Sequence, residues 1–430
     1  MVGTAEVRIW GETAGAVHWD NDRGFASFEF FPDFARNNWD LSPIHMPVHD
    51  STGRIYAFPS LPEVSFKGLP GLLSDSLPDE FGHKMIDQWL AVMNINGSAF
   101  TPVDRLCYIG ERGMGALEFH PAMKYARDKK STPLEIDQLV EFAGKVLDER
   151  KRFNAHLKDE KGLMELIRVG SSAGGQRPKA IIAFNEHTRE VRSGQVTAPP
   201  GFEHWILKLD GVTHQTLKDP KGFGRIEYAC YRMALACGIV MNESRLLEEG
   251  GRAHFMTKRF DRQGSEEKIH MQTLCALAHY DYQSQGYYAY ENAFEVMRQM
   301  KLPAPQFEQL YRRMVFNILV RNQDDHTKNI AFLMNKTGIW NLSPAYDVTY
   351  AYNPDGFWTN RHQMSVNGKR DDFTKKDLLS VGDKISLKKS VEIPEEISEI
   401  ISHWHTFAEE AGIPLHQANR LFKAFRLTLA

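Results

Sequence analysis

Residues 1–65 read as short β-prone runs divided by polar turns. Glu6-Val-Arg-Ile-Trp10 alternates apolar and polar positions, Gly11 opens a turn, and Gly15-Ala-Val-His-Trp19 and the aromatic Phe25-Ala-Ser-Phe-Glu-Phe-Phe31 follow. So few strands bury little by themselves, so a small barrel or sheet packed on the rest is expected. From residue 68 the texture changes. Gly68-Leu-Pro-Gly71 is a turn cluster, Pro78 stands near a helix start, and residues 81–90 read as helix. Tyr108-Ile-Gly-Glu-Arg-Gly-Met-Gly115 reads as glycines turning between two strands, because helix-opening signals are missing. Thr132-Pro-Leu-Glu135 predicts a helix entry, with Thr132 as N-cap and Glu135 closing a capping box. Leu134, Leu139, Val140, Phe142, Ala143 and Val146 supply its apolar face. The charged run 148–161 predicts a solvated helical surface, and a subdomain boundary is placed near residue 160.

The second half alternates. Residues 179–184 and 205–209 read as strands, 225–238 as a helix, and 254–260 as another strand. Helices follow from about residue 272. In the clearest, 308–321, Leu310, Tyr311, Met314, Ile318 and Leu319 line one side. Strands first and helices later is the order of an α+β fold with two lobes. The expected organisation is a β-rich then helical subdomain over 1–160, a second unit over 161–265 and a helical lobe over 266–430.

With 52 Lys plus Arg against 55 Asp plus Glu, the net charge is −3, which argues against nucleic-acid binding through bulk charge. Cys107, Cys230, Cys237 and Cys275 form no Cys-x-x-Cys pair, so they read as buried or free thiols in a reducing compartment. The first residues carry no apolar run of signal-peptide type and no stretch approaches a membrane span, so a cytoplasmic protein without a membrane partner is expected.

The candidate chemistry starts with Arg321-Asn-Gln-Asp-Asp-His-Thr-Lys-Asn329, a polar run between an amphipathic helix and an apolar strand. Asp324 and Asn329 have the Asp-x-x-x-x-Asn spacing of a protein-kinase catalytic loop, where the Asp takes the acceptor hydroxyl proton and the Asn amide oxygen holds a metal. A polar loop in which Asp325 and His326 cap their neighbours, or a hydrolytic metal site, would use the same residue types. Asp347, in Leu342-Ser-Pro-Ala-Tyr-Asp347, is placed to be a second magnesium ligand, or a turn residue. Lys208, flanked by Ile206, Leu207 and Leu209, is either an edge lysine or the strand lysine that neutralises nucleotide phosphates. Glu227 is either its ion-pair partner or a first-turn helix glutamate. Upstream, Val169-Gly-Ser-Ser-Ala-Gly-Gly-Gln-Arg-Pro-Lys179 has the small residues that wrap an anion, with Arg177 and Lys179 adding positive charge. Gln176-Arg177 stands where a Walker A loop needs Lys-Ser/Thr, which disfavours a P-loop enzyme. Taken in order, small-residue loop, strand lysine, helix glutamate, Asp324…Asn329 and Asp347 follow the linear plan of a bilobal kinase.

These motifs resemble the HipA family of bacterial toxin–antitoxin serine/threonine kinases along essentially the whole chain. The resemblance is carried by Gly68-Leu-Pro-Gly-Leu-Leu-Ser-Asp-Ser-Leu-Pro-Asp79, Ser171-Ser-Ala-Gly-Gly-Gln176, His254-Phe-Met-Thr-Lys-Arg-Phe-Asp-Arg262, Asp324-Asp-His-Thr-Lys-Asn329 and Ser343-Pro-Ala-Tyr-Asp347. It implies a bilobal kinase-like α+β fold and transfer of phosphate from ATP, with Mg2+, to a protein serine or threonine. Family members are known for targeting aminoacyl-tRNA synthetases. By position, Asp324 would be the base, Asn329 and Asp347 the magnesium ligands, and Lys208 the phosphate grip, with Lys179 and His326 nearby. Ser171, Ala173 and Gly174 would line the phosphate loop, and Lys258 and Phe260 would meet adenine through backbone groups. Ser171 or Ser172 would be the autophosphorylated residue, whose added charge would expel the loop from the ATP site. The family also implies a small helix-turn-helix antitoxin that carries most of the DNA contact. Three readings follow: an active protein kinase, a non-catalytic ATP-binding partner of such an antitoxin in transcriptional autoregulation, and a small-molecule phosphotransferase.

Overall fold

The computed structural model describes residues 2–37, 39–51, 53–123, 131–147, 167, 169–170, 177–195, 197–212, 222–264 and 267–429. The small-residue loop 171–176, the charged run 148–161 and the boundary near residue 160 lie outside the described residues.

The N-terminal strands β1 (Thr4–Ile9), β2 (Glu12–Asp20), β3 (Phe25–Phe30), β4 (Ile55–Ala57) and β5 (Leu117–His120) form one antiparallel sheet in the order β4-β3-β2-β1-β5. Its period-two pattern is visible in β1, where Ala5, Val7 and Ile9 are buried and Thr4 and Glu6 are exposed. A second antiparallel sheet has the order β7-β6-β8-β10-β9, from β6 (Lys179–Phe184), β7 (Val191–Ser193), β8 (Glu203–Lys208), β9 (Ser244–Glu249) and β10 (Arg252–Lys258). All six residues of β6 are buried, so its apolar run packs on both faces. The ribbon β11 (Arg262–Gln263) and β12 (Glu267–Lys268) leads into a three-stranded sheet of β13 (His270–Thr273), β14 (Ala331–Met334) and β15 (Trp340–Leu342). The C-terminal part is mainly helical, around the long helix Ala304–Val320, whose Leu310, Tyr311, Met314, Ile318 and Leu319 are all buried.

Two hydrophobic cores result. One joins the first sheet to the C-terminal helices, with Val7, Phe28, Leu72, Leu274, Phe316 and Trp404 among its members. The other packs helices Glu80–Val92 and Ile136–Leu147 against the second sheet, through Met85, Trp89, Phe142, Ile182, Leu207 and Met256.

Two local expectations are corrected. The helix expected from Thr132 begins at Ile136, because residues 132–134 run extended along β7. Ser193 N donates to Thr132 O and Leu134 N to Val191 O, so the segment's backbone is used by the sheet edge, and the Thr132 hydroxyl caps nothing. Tyr108 and Ile109 are the last residues of helix Pro102–Ile109, so the glycines after them turn from helix to strand. The capping box that opens this helix, Thr101 with Asp104, lies seven residues upstream of Tyr108. Asp347 stands beyond the end of β15, in a loop, with φ 51°.

Candidate active site

The second sheet supplies the cationic half of the site. Its register sets Lys208 directly opposite Lys179 on β6 and Phe255 on β10. Cross-strand partners share a face, and like charges so placed repel unless anions stand between or beside them. Two carboxylates do. The Lys208 ammonium donates to both Glu227 and Asp347, which lie 19 and 139 residues further along the chain. Burial opposes the charge on Lys208, and Asp347 and Glu227 outweigh it, holding the ammonium above its ordinary pKa. Burial likewise opposes the charge on Asp347, and Lys208 and then Lys179 outweigh it, holding the carboxyl well below the carboxylate range. Lys179 has no salt bridge among the described residues, and burial lowers its pKa against the pull of Asp347. A buried ammonium so placed suits an anionic ligand. Arg177 is drawn aside, with its guanidinium 3.7 Å from the centre of the Phe223 ring.

Glu227 reaches the cleft because helix Phe223–Ala236 lies tight against β10. A Cβ on Gly224 would stand 2.1 Å from Ala253 O, so only glycine permits that approach. Asp210 secures the start of this helix by accepting from Gly222 N at 3.0 Å and Gly224 N at 3.5 Å. Glu227 is buried and lies past the first turn, so the simple first-turn reading does not hold.

The polar run after helix Ala304–Val320 supplies the other half. Arg321 ends the helix in the left-handed conformation, φ 56°. Asp324 and Asp325, adjacent in sequence, have opposite fates. Asp325 is buried and accepts from Tyr290 OH at 3.0 Å, His362 Nδ1 at 2.8 Å and Gln363 N at 2.8 Å, so it anchors the loop. The Asp324 side chain is 43% exposed, so its carboxylate is open to solvent. Asn329 follows one 3-10 turn later, and its Nδ2 donates to Asp324 O at 2.7 Å. That bond orients the amide and leaves Oδ1 without a donor among the described residues. His326 Nε2 lies 3.7 Å from Asp324 Oδ1, and His326, Asn329 and Asp347 line one cavity with Asn322, Asp325 and Tyr346. Asp347 is held in its strained left-handed conformation by Asn322, whose Nδ2 donates to the Asp347 carbonyl at 3.1 Å. Asn329 Oδ1 and the Asp347 carboxylate are hard oxygen donors of the kind magnesium takes, and the Lys179–Lys208 row suits phosphate oxygens.

Lys258 and Phe260 are less alike than their shared expectation. The Lys258 N–H donates to Glu243 O at 2.8 Å, its carbonyl accepts from Asn242 Nδ2 at 3.0 Å, and its ammonium pairs with Glu203 at 2.5 Å. Phe260 has a backbone N–H without a partner among the described residues, and its ring lies 5.6 Å from that of Tyr346, next to Asp347. Ser171, Ser172, Ala173 and Gly174 lie outside the described residues.

Sequence reasoning assigned no role to two supports of the loop. Lys328 is 2.5 Å from Asp79 and 4.6 Å from the centre of the Tyr282 ring, and Asp79 outweighs burial to hold it above its ordinary pKa. Asp75 accepts from Thr273 N at 2.6 Å and Thr273 Oγ1 at 2.9 Å, and Thr273 caps helix Leu274–Ala278. The Asp75-Ser-Leu-Pro-Asp79 motif is therefore a buttress for the loop, 249 residues away at the Asp79–Lys328 pair. Asp79→Ala leaves Lys328 without its carboxylate, so a loss of about 3 kcal/mol in urea-unfolding stability is expected. A loss under about 1 kcal/mol would class the pair with ordinary surface bridges. The second support, Trp358, is taken up below.

Among the described residues no helix is long and apolar enough to cross a membrane. Family profiles match most of the chain: the HipA-like C-terminal domain over residues 171–427 and the HipA N-terminal domain over residues 5–120. The chain is 26% identical over 365 residues to "Putative kinase Y4mE" of Sinorhizobium fredii, covering 80% of this chain and 73% of that protein. It is 22% identical over 323 residues to a "Putative kinase" of Haemophilus influenzae, covering 66% of this chain and 89% of that one. Among solved structures it is similar to the HipA chain of a Shewanella oneidensis HipA, HipB and operator DNA complex. That match has a TM-score of 0.71 at 16% identity and covers 99% of this chain and 97% of that one.

Proposed function

This chain belongs to the HipA family, and on that premise we propose that it is an ATP- and Mg2+-dependent serine/threonine protein kinase. The observation that carries the reading is the Lys208 ammonium held between Glu227 and Asp347, beside a loop that presents Asp324 and Asn329. When bound, ATP supplies the phosphoryl group and magnesium offsets the charge on its oxygens. Lys208 and Lys179 hold the phosphates, Asn329 and Asp347 hold the metal, and Phe260 offers its N–H to adenine. Asp324 accepts the proton of the acceptor hydroxyl, and His326 stands beside it. Most of the rate then derives from positioning and fixed charge, not from covalent chemistry on the protein.

The acceptor is a protein, an aminoacyl-tRNA synthetase being the family's type of target. In support, Phe357 stands 85% exposed two residues before Thr359 on the loop that touches Asp324, an apolar contact of the kind protein surfaces use. Phosphate on Ser171 or Ser172 silences the enzyme by placing negative charge where ATP phosphates bind. A helix-turn-helix antitoxin binds the chain and makes most of the DNA contact, as a net charge of −3 favours. The protein works in the cytoplasm.

The test is incubation of the purified chain with ATP labelled on its terminal phosphate, with Mg2+ or with EDTA, alone and with lysate. Label on Ser171 or Ser172 and on a lysate protein, lost with EDTA, is expected. Tight ATP binding without label would favour the non-catalytic reading, and label on small molecules alone would favour the phosphotransferase.

A further inference from the structure

The geometry points to Trp358 as the positioning residue that holds the Asp324 carboxylate for phosphoryl transfer, an inference whose catalytic consequence rests on the kinase reading above. The Trp358 indole N–H donates to Asp324 Oδ1 at 2.5 Å. Among the described residues it is the one hydrogen-bond donor to that carboxylate, since His326 stands at 3.7 Å. A bond from an N–H to a charged carboxylate is stronger than a neutral one. It fixes one oxygen and leaves the other to receive the acceptor proton. Without it, a carboxylate that is 43% exposed is free to turn among its rotamers.

The loop that carries Trp358 is fastened to the loop that carries Asp324. Gln363 is buried, and its side-chain amide donates to the Trp358 carbonyl and to Gln323 O at 3.4 Å. Its backbone N–H donates to Asp325 Oδ1 at 2.8 Å, and His362 Nδ1 meets Asp325 Oδ2 at 2.8 Å. The far end of the loop is closed by Asn353 N donating to Thr359 O at 3.2 Å. Asp325 therefore does more than anchor its own segment. It sets the distance between the two loops, and with it the indole against Asp324. The role needs the indole N–H, not only an aromatic ring, which separates it from packing.

Two measurements test this. In the first, the indole N–H resonances of nitrogen-labelled protein are recorded. The Trp358 resonance, assigned by its loss in Trp358→Phe, is expected downfield and is expected to move upfield in Asp324→Ala. A Trp358 resonance indifferent to Asp324→Ala would overturn the contact. In the second, Trp358→Phe is expected to lower kcat for acceptor phosphorylation by about tenfold or more while the KM for ATP stays within about twofold. Wild-type kcat in Trp358→Phe, with a loss only in Trp358→Ala, would reduce Trp358 to packing. If the wild-type chain transfers no phosphate, the kinase reading fails, and the resonance measurement still decides whether Trp358 holds Asp324.

Discussion

Asp324→Asn is expected to lower phosphoryl transfer by roughly 10²- to 10⁴-fold, the usual contribution of a positioned general base. The substitution keeps the size of the side chain and keeps an oxygen to accept the Trp358 indole N–H. It leaves the Asp325 anchor and the Asn329 bond to the residue 324 carbonyl untouched. Stability should therefore change by no more than about 0.5 kcal/mol, as at other exposed positions. ATP affinity should be unchanged, because no phosphate or metal contact is assigned to this carboxylate. The loss should fall on kcat with KM for ATP constant. Undiminished transfer with this variant would remove Asp324 from the chemistry and return the role to His326 or to another group.

Lys208→Met is expected to be the most damaging single change in the cleft, by two separable routes. It leaves Glu227, with 6% of its side chain exposed, and Asp347, with 31%, without the ammonium that pairs with both. Breaking a buried pair in this way costs about 3–5 kcal/mol, and the partial exposure of Asp347 places the expected loss near the lower figure. The same change removes the proposed phosphate grip, so ATP affinity should fall by at least tenfold. Adding Glu227→Met separates the two effects. A methionine pair in place of a buried ion pair restores much of the stability, while nucleotide affinity stays low. Urea unfolding and calorimetric titration of both variants read the two quantities. Recovery of ATP affinity in the double variant would show that Lys208 serves the fold alone.

The parts of this picture that were legible in the sequence share a physical cause: the signal was local. The helix Ala304–Val320 shows its buried face at helical spacing, and β6 shows as an apolar run bounded by polar residues. The Asp324…Asn329 spacing has a local meaning too, since one 3-10 turn brings the Asn amide back to the Asp carbonyl. Lys208, Glu227 and Asp347 were each ambiguous alone. Their contact spans 139 residues and was readable only from the order of several weak motifs. What escaped was set by tertiary pairing. Thr132 carries strong helix-entry chemistry, but a free strand edge at β7 claimed its backbone first. Asp79 was quoted within a motif, yet no local pattern could name Lys328 as its partner. Trp358 lies in no periodic element, so its bond to Asp324, 34 residues away, had no sequence signature.

In the proposed kinase, Asn329, Asp347 and Lys208 meet at one metal–triphosphate site with Asp324 facing its outer phosphate. The most direct test is a crystal structure of the chain with Mn2+ and a non-hydrolysable ATP analogue, read by the anomalous signal of the metal. Manganese is expected on Asn329 Oδ1 and the Asp347 carboxylate, with Lys208 and Lys179 on the phosphates. Nucleotide and metal bound at another place, with the Lys208 bridge to Glu227 and Asp347 undisturbed, would contradict it.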